Sequence, residues 1–336
     1  MIRITRRAGA LSAATLALAL AAPLGASAVG AGSAHALEPF PRDYATWHQV
    51  ALASSGGHAE VLTTDTLGRV WYSDDDNNEL VRLDPLSGAT EAFDLGPSRP
   101  RIVALLPTPD GNIWLSDEEH AALIRLDPAT GLQDSYAIGG FGGGPESMTV
   151  GPDGNIWFGD PSGGGLGRMD LAGSYSVIPD PTGAFVYQTT AAPDGRLWFT
   201  SQGSKSLRSY DPIADRFFEL PVSVTSPVRD VAVSKKGDIW AVTEDGVAKI
   251  ALDGTTIEFH GFTSGPARVN PKSLIAGEHA EMYFIAANEQ IGRVDSAGAT
   301  TFVRPPFAGY TPTSLTVDGF GSLWFNTDRG STVGWV

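Results

Sequence analysis

Three aspartates occupy matching places in the first half of the chain, each three residues after a tryptophan: Asp74, Asp117 and Asp160. Carboxylate oxygens are preferred ligands of Mg²⁺ and Ca²⁺, so these side chains are candidate ligands of such an ion. His58 and His120 lie nearby in sequence and are candidate general bases, because imidazole exchanges its proton near neutral pH. The alternative is that all five are ordinary turn residues on a solvated surface.

A second set of polar side chains stands eight residues before the turn position of a recurring sequence unit. The early members are acidic, and the later members are aromatic or basic. A surface that collected them would carry opposite charges on its two sides, which suits a small-molecule, peptide or glycan ligand. The candidate ligand-binding residues are Glu60, Glu146, Tyr187, Arg229 and Lys272.

A repeat must position these residues. Residues 110–114 and 153–157 have the same sequence, DGNIW, and similar units recur to the end of the chain. The aromatic residues that end these units, called anchors here, are 43, 43, 41, 42, 43 and 41 residues apart. That is the period of a four-stranded propeller blade, so we predict an all-β fold, a seven-bladed β-propeller without helices. The anchors are Trp71, Trp114, Trp157, Trp198, Trp240, Tyr283 and Trp324.

Glycine stands three residues before the anchor in six of the seven units, where a tight turn needs a positive φ. Ala280 is the exception, which makes the sixth unit the degenerate one. We also expect the anchors to pack between neighbouring blades and not to form a binding surface.

The ends of the chain predict how the ring closes. Val336 follows soon after the third strand of the seventh unit, so that unit lacks its outer strand. Residues 44–50 (YATWHQV) have the outer-strand pattern and precede the first inner strand. We predict that they pair beside the C-terminal strand, because an open array would leave exposed strand edges.

The composition excludes several functions. The 38 acidic and 23 basic residues give a net charge of -15, which repels a phosphate backbone, so no nucleic-acid partner is expected. The absence of cysteine excludes disulfides, thiol nucleophiles and Cys-ligated zinc. The glycine run at residues 139–144 precedes no helical pattern, so no nucleotide cofactor is expected.

Residues 1–36 have the layout of a secretory signal peptide. Three arginines precede an Ala/Leu-rich stretch at 8–28, and small-x-small sites lie at 26–28 and 34–36. An uncleaved membrane anchor is the alternative, and the Sec and twin-arginine routes both remain open. We predict that residues 37–336 form a single secreted propeller domain, a monomer with no stable membrane span after cleavage.

Residues 151–158 (GPDGNIWF), their echo at 192–200 (APDGRLWFT) and the third-strand pattern at 291–293 (IGR) resemble the virginiamycin B lyase (streptogramin lyase) family. The resemblance covers nearly all of the chain after residue 36. It implies a seven-bladed propeller and magnesium-dependent elimination that opens a streptogramin B lactone ring. It also implies histidines where the inner strands of adjacent blades begin, and a glutamate three residues after an anchor.

This chain departs from that catalytic set. The positions eight residues before the turn hold Glu60, Val103, Glu146, Tyr187, Arg229, Lys272 and Thr313, and none is histidine. In the late units, the positions three residues after the anchor hold Ser201, Thr243, Ala286 and Thr327. Two functions follow as expectations. The first is a secreted propeller that binds a ligand at the channel mouth, and the alternative is a metal-dependent lyase or lactone hydrolase acting on a cyclic ester.

Overall fold

The computed structural model describes residues 7–9, 47–139, 143–160, 164–201, 203–221, 226–251, 257–262, 271–287, 289–306, 311–327 and 332–336. These residues form seven antiparallel sheets, and each sheet is one blade of a closed ring. The prediction of an all-β, seven-bladed propeller with four-stranded blades is confirmed. Among the described residues, no helix has the length and hydrophobicity needed to cross a membrane.

Each blade runs from an inner strand at the channel to an outer strand at the rim, in chain order. Blade 1 contains β3 (Ala59–Thr64), β4 (Val70–Asp74), β5 (Glu79–Leu83) and β6 (Thr90–Asp94), with β1 (Arg7–Gly9) paired outside β6. Blade 2 contains β7 (Ile102–Pro107), β8 (Ile113–Asp117), β9 (Ala122–Leu126) and β10 (Gln133–Ala137). Blade 3 contains β11 (Met148–Val150), β12 (Ile156–Asp160), β13 (Gly165–Met169) and β14 (Tyr175–Pro179).

The later blades repeat this order. Blade 4 contains β15 (Val186–Ala191), β16 (Leu197–Ser201), β17 (Ser206–Asp211) and β18 (Arg216–Pro221). Blade 5 contains β19 (Val228–Val233), β20 (Ile239–Thr243), β21 (Gly246–Ile250) and β22 (Ile257–Gly261). Blade 6 contains β23 (Lys272–Ala276), β24 (Met282–Ala286), β25 (Gln290–Val294) and β26 (Thr300–Val303). Blade 7 contains β27 (Pro312–Val317), β28 (Leu323–Thr327), β29 (Thr332–Trp335) and β2 (His48–Ala51).

The two ends of the chain close the ring in blade 7. Strand β2 pairs antiparallel with β29, with His48 opposite Trp335. Their rings stack with centroids 4.1 Å apart, and Trp47 packs edge-on against Phe325 at 5.6 Å. The predicted closure is confirmed from Trp47 onward, and residues 44–46 lie outside the described part. Strand β1 falls within the segment predicted to be the signal peptide.

The seven anchors fill the interfaces between blades, as predicted. All are at most 2% exposed. Trp71 of blade 1 packs with Ile113 and Leu115 of blade 2, and every later anchor packs in the same way on the second strand of the following blade. The ring therefore depends on one apolar contact repeated seven times, and Trp324 closes it by packing with residues of blade 1.

In four blades, an aspartate of the turn accepts a hydrogen bond from the indole N–H of the anchor. Asp318 Oδ2 accepts a hydrogen bond from Trp324 Nε1 at 2.8 Å, and its Oδ1 accepts from two backbone N–H groups of the turn. Similar bonds join Trp71 to Asp65, Trp157 to Asp153 and Trp198 to Asp194. Ala280 adopts φ 74°, the same left-handed region as the glycines at the equivalent turns, which confirms that blade 6 keeps the turn without its glycine.

We expect removal of the closing strand to destabilise the ring. A chain that begins at Leu52 lacks β2 and exposes the edge of β29, whereas a chain that begins at Trp47 keeps the pairing. The shorter chain should aggregate and melt at a lower temperature than the longer one, because exposed strand edges pair with other chains. Size-exclusion chromatography and thermal melting test this. A soluble shorter chain that melts at the parent temperature would contradict it.

We expect Asp318→Ala to cost about 2–4 kcal/mol of unfolding free energy, because it leaves the buried Trp324 indole N–H and two turn N–H groups without acceptors. Asp110→Ala is the matched control. Asp110 bonds Thr108 and Asn112 in the exposed turn of blade 2 but no indole, so we expect at most about 1 kcal/mol. Urea unfolding measures both, and equal losses would show that the indole bond contributes nothing.

Candidate functional site

The inner strands carry a β-bulge at the end from which they start. In blade 5, Val228 pairs with Thr243 but Asp230 pairs with Val242, so one extra residue is inserted. Five other blades show the same shift at the start of β3, β7, β15, β23 and β27. A bulge bends its strand and redirects the side chains within it. Three of the predicted ligand-binding residues lie inside these irregular segments: Glu60, Tyr187 and Arg229.

The irregular segments contain backbone N–H groups that bond to side chains of the preceding blade. An unpaired buried N–H would cost free energy, so an acceptor is required. In three interfaces the acceptor is the polar side chain seven residues before the turn position. The bonds join Leu62 N to Ser314 Oγ (3.0 Å), Thr189 N to Ser147 Oγ (3.2 Å) and Leu274 N to Asp230 Oδ2 (2.7 Å).

The seven inner strands enclose a channel cavity of about 290 Å³. Each blade contributes three consecutive residues, and the lining mixes aliphatic side chains with hydroxyls. The segments are 61–63, 103–105, 146–148, 188–190, 230–232, 273–275 and 314–316. The channel is therefore a narrow, partly polar space on the axis of the ring.

Asp230 is a buried carboxyl group in this lining, 5% exposed. Oδ1 accepts from Val231 N at 2.7 Å, and Oδ2 accepts from Leu274 N of the next blade. Burial raises the pKa of Asp230 to about 7, although the hydrogen bonds from backbone N–H groups lower it. The side chain thus combines a structural bond between blades with a proton that exchanges near neutral pH.

A second cavity of about 290 Å³ adjoins the channel across blades 3 to 6. We call it the mouth pocket. It brings together Glu146, Tyr187, Arg229 and Lys272, four of the five predicted ligand-binding residues, one from each blade. It shares Glu146 and Gln188 with the channel cavity. The rest of its lining consists of Thr200, Ser201, Gly203, Val228 and Pro271.

The two basic residues of the mouth pocket differ in their partners. Arg229 forms an ion pair with Glu244 of its own blade. Lys272 is exposed and has no ion-pair partner among the residues that the structure describes. The cationic side of the pocket therefore presents Lys272 as its uncompensated charge.

The acidic side has a similar arrangement. Glu118 of blade 2 forms an ion pair with Arg101. Glu146 is exposed at the pocket and, within the described part of the chain, has no ion pair or hydrogen bond through its carboxylate. Partial desolvation and the neighbouring Glu118 charge raise its pKa above the usual range.

The three predicted metal-binding aspartates hold the loops at the starts of the blades. Asp74 accepts from the backbone N–H of His58 and from both the backbone and the side chain of Asn77. Asp117 accepts from the backbone N–H groups of residues 101, 119 and 120. Asp160 is largely buried, and Tyr175 donates to it at 3.4 Å.

The three aspartates are not brought into one group. Among the described residues, no three His, Asp or Glu side chains are close enough to hold a metal ion. Because the oxygens of Asp74 and Asp117 already accept several N–H bonds, their arrangement fits loop support better than a shared cation. The Mg²⁺ or Ca²⁺ site stays a prediction.

The two candidate histidines lie outside the mouth pocket. His58 Nε2 is 3.2 Å from the carbonyl oxygen of Thr327 in blade 7, so this nitrogen carries the hydrogen. His58 Nδ1 lies 3.8 Å from Glu60, the fifth predicted ligand-binding residue, which lines neither cavity. His120 Nδ1 lies 2.7 Å from Asp117 Oδ2, and its ring is 44% exposed.

Asp230 and Asp75 are two further candidates that the sequence pattern does not single out. The predicted ligand-binding residues stand eight places before the turn position, and Asp230 stands one residue later. Its signal is the polar residue seven places before the turn, which recurs as Ser147 and Ser314. Burial, followed by the charge of Glu60, raises the pKa of Asp75 to about 6.

These features define a class of protein: a closed seven-bladed β-propeller with a polar pocket where the inner strands of four successive blades begin. Comparison with known families gives a match to the virginiamycin B lyase family over residues 45–333. The chain belongs to that family. Comparison with curated proteins gave no match.

Solved structures share the fold. A streptogramin B lyase has 22% sequence identity and a TM-score of 0.76, over 86% of this chain and 96% of that one. A catalytically inactive histidine-to-alanine variant of virginiamycin B lyase from Staphylococcus aureus, with quinupristin, has 19% identity and a TM-score of 0.76, over 86% and 98%. The extracellular domain of a hybrid two-component system from B. thetaiotaomicron has 16% identity and a TM-score of 0.70, over 87% and 42%.

We expect Asp230 to lower the stability of the protein as pH rises from about 4 to about 7. Its folded-state pKa of about 7 is above that of an unfolded aspartate, so the folded state binds more protons in this range. The stability that protonation contributes is therefore complete below pH 4 and lost above pH 7.

The test is Asp230→Ser, which provides the hydroxyl that Ser147 and Ser314 provide in blades 3 and 7. Relative to this variant, the parent protein should lose unfolding free energy between about pH 4 and about pH 7 in urea titrations. A difference between the two proteins that stays constant with pH would show that Asp230 does not titrate in the folded state.

Proposed function

We propose that this protein is an exported propeller that binds a small polar ligand, a short peptide or a glycan in the mouth pocket. The observation that carries the proposal is the convergence of Glu146, Tyr187, Arg229 and Lys272 on one cavity. Four successive blades supply these side chains, so the site depends on how these blades pack against one another. Concave pockets with a few convergent polar groups are the usual form of small-molecule sites.

Export is supported by the Ala/Leu-rich segment that follows Arg3, Arg6 and Arg7 at the N-terminus. It is also supported by the fold shared with the extracellular domain of the two-component system. The net charge of -15 gives no reason to expect a polyanionic partner. The ligand would therefore be a small extracellular compound.

A second function is favoured by the family to which the chain belongs. In it the protein is a metal-dependent lyase or lactone hydrolase that opens a cyclic ester such as a streptogramin B antibiotic. His120, held by Asp117, has the geometry of an oriented base. It does not line the mouth pocket, however, and neither does His58. We therefore place ligand binding first.

Both functions are tested with purified protein and three probes: quinupristin, a short peptide and a cello-oligosaccharide. Binding stabilises the folded state by RT ln(1 + [L]/Kd), which a thermal shift reports. Tyr187→Ala should abolish or weaken the shift given by whichever probe binds, by about tenfold in affinity, because it removes the half-buried ring from the pocket. Phe185→Ala is the matched control, an exposed aromatic two residues away and outside the pocket lining.

The quinupristin sample with Mg²⁺ is also followed by chromatography and mass spectrometry. A product of unchanged mass would show elimination, and a product heavier by one water would show hydrolysis. Unaltered quinupristin would remove the second function. If no probe shifts the melting temperature, or if Tyr187→Ala and Phe185→Ala behave alike, the mouth pocket is not the binding site.

A further inference from the structure

The mouth pocket carries opposite charges that do not pair with each other. Glu146 comes from blade 3 and Lys272 from blade 6, with blades 4 and 5 between them. No ion pair or hydrogen bond joins the two side chains, although both are part of the described structure and line the same cavity. The pocket thus separates a negative charge from a positive one.

Neighbouring charges leave this separation in place. On the acidic side, Arg101 neutralises Glu118 and leaves Glu146 as the excess negative charge. On the basic side, Glu244 neutralises Arg229 and leaves Lys272 as the excess positive charge. Each ion pair is neutral as a unit, so the field across the pocket comes mainly from the two uncompensated groups.

The space between the charged groups is polar and small. Tyr187, Gln188, Thr200 and Ser201 lie between them and provide hydroxyl and amide groups that donate and accept hydrogen bonds. A volume of about 290 Å³ is at the lower end of the range for small-molecule sites, which excludes a large ligand from full enclosure.

From this arrangement we infer that the ligand is a zwitterion of the amino-acid or short-peptide type, with its ammonium group at Glu146 and its carboxylate at Lys272. The inference rests on the proposed function and narrows it to one chemical class. The ammonium group of the ligand stabilises the ionised form of Glu146, which desolvation and Glu118 otherwise disfavour. The carboxylate accepts hydrogen bonds from Lys272, and the peptide groups of the longer ligands bond to the central hydroxyl and amide groups.

The experiment uses glycine, diglycine and triglycine as probes, because each added residue lengthens the separation of the two charges by about 3.5 Å. The N-acetylated and C-amidated forms of each probe remove one charge at a time. Isothermal titration calorimetry should show that one free peptide binds. Either modification of that peptide should weaken binding about two- to fivefold, the range for an exposed charged contact.

Variants assign each charge to its residue. Glu146→Gln should bind the free and N-acetylated peptides equally, and Lys272→Met should bind the free and C-amidated peptides equally. Glu219→Gln and Lys236→Met make the same charge changes at exposed positions outside the pocket and should behave like the parent protein.

The outcomes separate the inference from the proposed function. The inference is wrong if free and modified peptides bind equally, or if the pocket variants discriminate as the parent does. It is also wrong if no member of the series binds while quinupristin or the oligosaccharide binds in a Tyr187-dependent way, in which case the proposed function stands. If no probe of any class binds, both fail.

Discussion

The propeller depends on one repeated contact, in which the anchor of each blade packs against the second strand of the next. Seven sheets bury their faces against one another in this way, and Trp324 of the last blade completes the circle on the first. Because large aromatic side chains bury about 150–250 Å² each, this contact supplies much of the apolar burial between blades. Buried polar side chains lie where that packing leaves backbone N–H groups without a hydrogen-bond acceptor in their own sheet.

Bulges in the inner strands link this packing to the candidate site. They contain N–H groups that the adjacent blade must accept, and Ser147, Asp230 and Ser314 do so in alternate interfaces. The bulged segments also contain Tyr187 and Arg229, which line the mouth pocket. A structural requirement and a binding surface therefore come from neighbouring residues of the same strand, as at Asp230 and Arg229.

Family membership and site chemistry give different information about this protein. The family resemblance implies histidines where inner strands begin, and this chain has Tyr187, Arg229 and Lys272 at such places. The scaffold is that of the family, while these three positions depart from the histidines that the resemblance implies. Since a fold supports many functions, the activity has to be argued from these side chains and not from the ring that carries them.

The sequence by itself determined the number of blades and the four-stranded pattern, because both follow from a period of 41 to 43 residues counted along the chain. The outer-strand pattern of residues 44–50 indicated the closing strand. The same count placed Glu146, Tyr187, Arg229 and Lys272 at one end of the inner strands. Only the tertiary structure decided which charges remain uncompensated. Arg229 meets Glu244, Asp74 and Asp117 bind loop N–H groups, and Lys272 meets no described partner. Such pairings depend on side-chain directions and on distances between elements, which a repeat period does not contain.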